Sequence, residues 1–376
     1  MKFQVSSTAL YKQLTRIAGA IPTRSVLPII ENFLFDLNDD LLTIATTNRE
    51  TSMQIKLAVE STGGSAKIAL PAKVLQDILK ALPEQPVSFE IDLDTFSVTL
   101  SSENGTYKIG GENGELFPSI PSSDGMEHVT MPLHVLLTAV NKTLFAASTD
   151  EDKAALNGIY FDLSENGATF VATDAHRLVR YHREDVAVDA NTSFIVPQKA
   201  LNLLKNSLSA SKGDVAIYYN ANNAIFQAED LIMVCRLIDD AYPNYEQVIP
   251  KENPNKLFIT KTELLGTLRR VNIFADKKTH QVRLAIGSDI LEVSSEDLDF
   301  ANEARERIPC HYEGDDIEIG FNASLLIEMI SNMKIEDVIL ELSNASQAGI
   351  ILPSIQEENE NVLMLIMPIV LNSYVY

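Results

Sequence analysis

Between Phe170 and Tyr181 the chain reads FVATDAHRLVRY, and Asp174, His176 and Arg177 bring an acid, a base and a cation into four positions. A carboxylate that orients an imidazole is half of a general acid–base or nucleophile-activating device. The rest of such a device is missing from the sequence: no GxSxG elbow, HExxH, phosphate-binding loop or dinucleotide-type glycine pattern occurs. STDEDK (148–153) could offer carboxylates to a metal, but acidic runs of this kind are usually solvated loops. Cys235 and Cys310 lie far apart without CxxC or Cys/His spacing, which speaks against a disulfide framework or a zinc site and for a reducing compartment, the cytoplasm. The opening MKFQVSSTALYK lacks the apolar core of a signal peptide. VLMLIMPIVL (362–371) is too short to span a membrane and contains Pro368.

These side chains are carried by a unit that is used three times. KFQVSSTALYKQLTRIAGA (2–20), HVTMPLHVLLTAVNKTLFA (128–146) and KLFITKTELLGTLRRVNIF (256–274) align without gaps. Phe3, Val129 and Leu257 coincide, as do Val5, Met131 and Ile259; Leu10, Leu136 and Leu264; and Leu14, Val140 and Leu268. The opening alternation predicts a strand, and the apolar spacing of three and four that follows predicts a helix. A second strand-to-helix run recurs in KIALPAKVLQDILKAL (67–82), SFIVPQKALNLLKNSL (193–208) and IEIGFNASLLIEMISNM (317–333). Pro71 and Pro197 are expected in the first helical turn, with Phe321 at that place in the third copy. A strand pair with a polar turn links FDLNDDLLTIATTNRE (35–50) to FDLSENGATFVATDAHR (161–177), and more faintly to VRLAIGSDILEVSSE (282–296). In the first of these Asn48 replaces the acid and no histidine follows. The chain therefore reads as three α+β domains, 1–121, 122–250 and 251–376, each with two helices packed on antiparallel strands. The polar, Pro-containing ELFPSIPSSDG (115–125) and YPNYEQVIPKENPN (242–255) divide them.

A net charge of −22 over 376 residues argues by itself against a nucleic-acid partner, but the charge is unevenly spread. The six expected helices, 8–20, 71–82, 132–147, 197–209, 260–275 and 322–334, hold eleven Lys and Arg against three acids, Asp77, Glu263 and Glu328. The cations are Lys12, Arg16, Lys73, Lys80, Lys142, Lys199, Lys205, Lys261, Arg269, Arg270 and Lys334. If the helices share one side, that side suits a polyanion while strands and loops stay acidic. No aromatic platform or base-reading motif accompanies them, so the pattern supports sequence-independent phosphate contact only.

Threefold repetition, basic helices and VATDAHRL (171–178) together resemble the bacterial DNA sliding clamps, the beta subunit of DNA polymerase III. The resemblance covers the whole chain. It also rests on MKF at the start, LPI (27–29), ALNG (155–158), IVPQK (195–199), YPNY (242–245), IGFN (319–322) and MPI (367–369). It implies a head-to-tail homodimeric ring of six like domains, with helices lining the hole and sheets outside. Such a ring encircles double-stranded DNA without sequence preference and serves replication as a non-catalytic processivity factor, without cofactor, metal or membrane partner. Arg24, Lys199 and Lys153 fall where the family places DNA contacts, although Ala154 and Ala155 stand where relatives can carry tyrosines. Tyr107 and Ile109 of domain one match one side of the family's dimer interface, and Ile273 and Phe274 of domain three the other.

The same resemblance gives VATDAHRL a binding role. It would wall a pocket between domains two and three that takes short linear peptides from the DNA polymerase III alpha subunit, the clamp loader, other polymerases and repair proteins. By position the pocket includes Leu156, Thr173, Ala175, His176, Arg177, Leu178, Pro243 and Val248. The last strand adds Leu365, Ile366, Met367, Pro368 and Ile369. His176 and Arg177 would meet polar groups at the rim, and Met367 would be an adaptable apolar wall. Ala175 stands where glycine is common in the family, and Gln247 where arginine can occur. NSYVY (372–376) continues past the usual end and is expected to fold near the pocket and alter client affinity. Two rival readings start from the residues alone: a hydrolase using Asp174 and His176, and an acidic protein-interaction scaffold that never touches DNA.

Overall fold

Six α-helices occur among the described residues, 1–188 and 191–371, of this computed structural model. They are α1 (Ser7–Ile17), α2 (Ala72–Ala81), α3 (Leu133–Thr143), α4 (Gln198–Leu208), α5 (Lys261–Val271) and α6 (Ala323–Ser331). The gapless copies become α1, α3 and α5, each eleven residues long and each running into one 3-10 turn, Ala18–Ala20, Leu144–Ala146 or Asn272–Phe274. The longer helices expected from the sequence are thus a helix plus that turn. α1 begins where the Ser6 side chain accepts the Ala9 amide at 3.3 Å, and it buries Leu10, Leu14 and Ile17 as one stripe. Leu264, Leu268 and Val271 form the matching stripe of α5.

Pro71 and Pro197 precede α2 and α4 as their N-cap residues, one place earlier than expected. The third copy has Asn322 at that place, and its side chain accepts the Leu325 amide at 3.1 Å. Phe321, expected there, lies one residue earlier in a strand and is fully buried. The tail 372–376 lies outside the described residues.

The chain packs as two units. Met1–Leu137 with Val196–Asp239 holds a five-stranded and a nine-stranded sheet; Thr138–Ile195 with Asp240–Tyr376 holds a nine-stranded and a four-stranded sheet. Pairing is antiparallel, and each nine-stranded sheet is two shorter sheets fused along an edge. Six strands make or could make such joints: β1 (Thr51–Ala58), β2 (Thr106–Gly110), β3 (Arg177–Arg183), β4 (Leu231–Arg236), β5 (Asn302–Pro309) and β6 (Glu360–Ile366). In the first unit β1 of the N-terminal domain pairs with β4 of the central domain, Thr51 opposite Cys235. In the second unit β3 of the central domain pairs with β6 of the C-terminal domain, Arg177 opposite Ile366. Among the described residues β2 ends the five-stranded sheet and β5 ends the four-stranded sheet. An open edge presents unpaired N–H and C=O groups to another strand.

An ion pair braces each joint. Arg16, the tenth residue of α1, meets Asp230 just before β4 at 2.7 Å, and its Nε donates to the Ser207 carbonyl at 3.2 Å. Lys142, the tenth residue of α3, meets Glu360 at the start of β6 and lies over the Tyr181 ring, 4.9 Å from its centre. Burial alone would raise the Asp230 carboxyl, but hydrogen bonds from Arg16 and Gln13 outweigh it and hold the group below the usual range. Burial raises the Glu360 carboxyl too, and hydrogen bonds from Lys142 and Tyr181 outweigh it and hold that group low in the same way. A depressed carboxylate stabilises the fold at pH values above its unfolded-state pKa, about 4, and that contribution is lost as pH falls through the folded-state value. Asp230→Asn should cost about 1–2 kcal/mol at neutral pH and flatten the acid limb of a circular-dichroism titration. An unchanged acid limb would separate Asp230 from the acid sensitivity.

Candidate functional site

The acid of VATDAHRL builds a turn. A strand ends at Thr173 and β3 begins at Arg177. Between them Asp174 Oδ1 accepts the amides of His176 and Arg177, both at 2.9 Å. Thr173 Oγ1 donates to the Arg177 carbonyl at 2.5 Å and accepts the Ala175 amide at 3.1 Å. Ala175 has φ 78°, in the left-handed region that glycine enters most easily. The N-terminal domain builds the same turn without an acid: Asn48 Oδ1 accepts the amides of Glu50 and Thr51 at 3.0 and 2.7 Å, and Arg49 also has φ 78°. In the C-terminal domain Asp297 Oδ1 accepts the amides of Asp299 and Phe300. Asp174 is therefore a turn former, and its bond to His176 runs to the backbone amide, so the acid–imidazole dyad of a hydrolase is not assembled here.

Arg177 differs from the rim cation that the resemblance implied. It is only 7% exposed. Its Nε donates to Asp174 Oδ2 at 3.0 Å, Nη1 to Glu328 Oε2 of α6 at 2.6 Å, and Nη2 to the Phe145 carbonyl at 2.7 Å, with the Phe145 ring 5.3 Å away. A guanidinium this buried needs its donors satisfied by the protein, and here central-domain and C-terminal-domain groups do so together.

The other expected pocket residues divide into floor and surface. Thr173, Leu178, Leu365 and Ile366 are buried. Leu178 and Leu365 pack with Val171, Tyr245 and Ala348, flanked by Tyr160, Tyr242, Ile249 and Leu363. Ala175, His176, Pro243, Val248 and Met367 are exposed, and Leu156, Pro368 and Ile369 are half-buried. The Met367 amide donates to the His176 carbonyl at 2.8 Å, carrying the pairing of β6 with β3 one residue further. Missed by sequence reasoning were Glu328, counted only as a helix acid, and the tyrosines beneath the patch. Tyr160 and Tyr242 stack at 4.6 Å, and the Tyr242 hydroxyl donates to the Val171 carbonyl at 3.3 Å. Burial pushes the Tyr245 phenol up to about 12 and Tyr242 up as well, so both stay protonated. YPNY was the available signal for the second and third of these rings.

The expected DNA-facing cations also divide. Lys12, Arg24, Lys73, Lys80, Lys199 and Arg269 are exposed, and Lys205 is half-buried. Arg16 and Lys142 are the braces described above; each meets an acid of the following domain. Arg270 meets Glu306 through two bonds of 2.8 and 2.6 Å. Lys153 is exposed 3.8 Å from Asp150 in the STDEDK loop, where Asp150 also accepts the Asp152 amide. A tighter carboxylate group, Asp276, Asp297 and Asp299, has oxygens within 4.8 Å of one another; turn amides engage Asp276 and Asp297. Of the expected dimer residues Ile273 is 66% and Phe274 40% exposed, and Tyr107 is half-buried. Ile109 is only 4% exposed, so its side chain belongs to the N-terminal core, and the edge itself offers Tyr107 and the backbone of β2. No helix among the described residues is long and apolar enough to cross a membrane.

Three like α+β domains, joined edge to edge with one register and carrying lysines on their helices, define a sliding-clamp fold. Models of the DNA polymerase III beta subunit match the chain throughout: the N-terminal domain over residues 1–121, the central domain over 130–244 and the C-terminal domain over 246–370. The chain belongs to that family. It is 30% identical to the beta sliding clamp of Synechococcus elongatus over 384 residues, covering 99% of this chain and all of the relative. The beta subunit of Thermotoga maritima DNA polymerase III has a solved structure with a TM-score of 0.89 at 25% identity, covering 99% of this chain and 100% of that one. The Pseudomonas aeruginosa sliding clamp bound to griselimycin gives a TM-score of 0.93 at 23% identity, over 99% of this chain and 100% of that one, a likeness of fold.

Proposed function

We propose that two copies of this chain join head to tail into a ring of six domains that encircles duplex DNA, slides along it and tethers the replicative polymerase. The observation that carries this reading is the repeated joint. Within the chain, β1 pairs with β4 and β3 with β6 in one register, which leaves one edge of each kind, β5 and β2, for a second copy. Thr51 lies across from Asn48 and Arg177 from Asp174; Asn302 lies across from Asp297, the third turn former. Following the ladders on the other side, Cys235 and Ile366 correspond to Ile109. The same register then sets Asn302 against Ile109, Glu303 against Lys108 and Ala304 against Tyr107 of the second copy. That places an acid opposite a base and a small residue opposite a large one.

The domain divisions proposed are 1–121, 122–250 and 251–376. The chain has no catalytic role in this reading, and its two free cysteines suit the cytoplasm. Lys12, Arg24, Lys73, Lys80, Lys199, Lys205 and Arg269 are the proposed phosphate contacts, with Lys153 at the margin. Client peptides, from the polymerase alpha subunit, the clamp loader, other polymerases and repair proteins, would cover Met367, Val248, Pro243, Ala175 and His176, with Leu156, Pro368 and Ile369 beside them. The test of the function is topological. Loaded protein should stay on circular DNA and leave linear DNA by its ends; equal loss from both would overturn the ring.

Two outcomes refine it. Changing Lys12, Lys73, Lys80, Lys199 and Lys205 together to glutamine should shorten residence on nicked circles and weaken its salt dependence by up to about five phosphate contacts' worth. Unaltered salt dependence would remove these lysines from the DNA surface. Met367→Asp should weaken a fluorescent polymerase-tail peptide at least about tenfold by charging an apolar wall, while leaving self-association unchanged. Equal peptide affinity would move the client site elsewhere.

A further inference from the structure

The braces at the two internal joints form a series with a third member. Arg16, Lys142 and Arg270 are each the tenth residue of an eleven-residue helix, and they coincide in the gapless repeat. Arg16 reaches from the N-terminal domain to Asp230 of the central domain, and Lys142 reaches from the central domain to Glu360 of the C-terminal domain. Asp230 lies five residues before Cys235, and Glu360 six before Ile366. Counting back the same distances from Ile109, the third equivalent, arrives at Asn104 and Glu103. Of these only Glu103 carries a charge.

We propose that Arg270 pairs with Glu103 of a second copy and so closes the seam between β5 and β2. This rests on the head-to-tail reading and adds to it the residue pair that latches the joint. Glu103 is exposed, and among the described residues its carboxylate has no ion pair; only its amide is engaged, donating to Gln85 at 2.8 Å. The Arg270 side chain is 59% exposed. Glu306 and Thr267 occupy its Nε and Nη2, which leaves Nη1 for a further acceptor. A guanidinium can hold two carboxylates at once, so the contact within the chain need not break. Arg177 already behaves this way, meeting Asp174 and Glu328 together. Two internal braces and one latch would give every joint in the ring the same kind of pair.

A charge-swap cycle tests the pairing, read as the self-association constant from sedimentation over a range of protein concentrations. All variants carry Glu306→Gln, so that Arg270→Glu meets no acid in its own chain. Glu103→Arg and Arg270→Glu should each weaken the dimer about tenfold, and the double variant should recover to within about threefold of the background protein. Glu103→Gln in the otherwise unaltered chain should weaken it about threefold, which covers the case in which the swapped chains fold poorly. Singles without effect, or a double variant as weak as the two singles combined, would overturn the latch. If Ile273→Asp with Phe274→Ala still abolished dimers in that case, the ring would stand without it. Unaltered protein that sediments as a monomer at all concentrations would overturn the ring reading itself.

Discussion

Ile273→Asp combined with Phe274→Ala is expected to leave the protein monomeric at micromolar concentration, raising the dissociation constant by about three orders of magnitude. The two residues end the 3-10 turn after α5 and are 66% and 40% exposed. Ala20 and Ala146, which match Phe274 in the other two copies, are 1% and 0% exposed. The turn after α5 is thus the one of three that keeps its apolar end open, as a copy facing an unoccupied joint would. An aspartate at the centre of a dry contact adds the cost of stripping water from a charge to the lost apolar burial. Sedimentation should show one slow species, and retention on circular DNA should disappear with it. Circular dichroism should be unchanged, because neither side chain supports the fold of its own domain. A dimer that survives the change would mean that the copies meet through some other surface.

The repeat was readable because a packed helix advertises its buried stripe by spacing alone: Leu10 and Leu14 recur as Leu264 and Leu268 at one offset, and the strands before them recur with them. Which polar residues face a ligand was much less readable. Arg16 and Lys142 look like Lys12 and Lys199 in a list of helix cations, yet their acids, Asp230 and Glu360, are more than two hundred residues further on and meet them only after the strand edges have joined. Asp174 beside His176 has the composition of a catalytic pair, and only Asn48 in the first repeat hinted that the position asks for a side-chain oxygen rather than for a charge. The resemblance set Ile109 in the dimer interface, yet within one copy it is only 4% exposed; side chains alternate along that strand, and Ile109 shares its less exposed face with half-buried Tyr107. The third turn carries four residues, 298–301, between Asp297 and Asn302 where the others carry two, and it lies beyond the stretch 282–296 that echoed the other copies.

Arg177 separates two ways in which a residue can matter to a binding site. Arg177→Ala leaves Asp174 and Glu328 without their cation and the Phe145 carbonyl without its donor. Removing one partner from a buried charge group costs up to about 3–5 kcal/mol. Glu328 is 48% exposed and can rehydrate, so about 2–3 kcal/mol is the expected loss here. The first thermal transition should move down by several degrees. Peptide affinity should fall in step with it, because the turn that carries His176 and the carbonyl held by Met367 loses its anchor. Arg177→Lys keeps the charge but not the planar fork, and should recover less than half of both losses. His176→Ala should lower peptide affinity at unchanged melting temperature, since that side chain is exposed. If Arg177→Ala instead removed peptide binding while the melting curve stayed in place, the guanidinium would be touching the peptide directly, and the tie to Glu328 would be incidental.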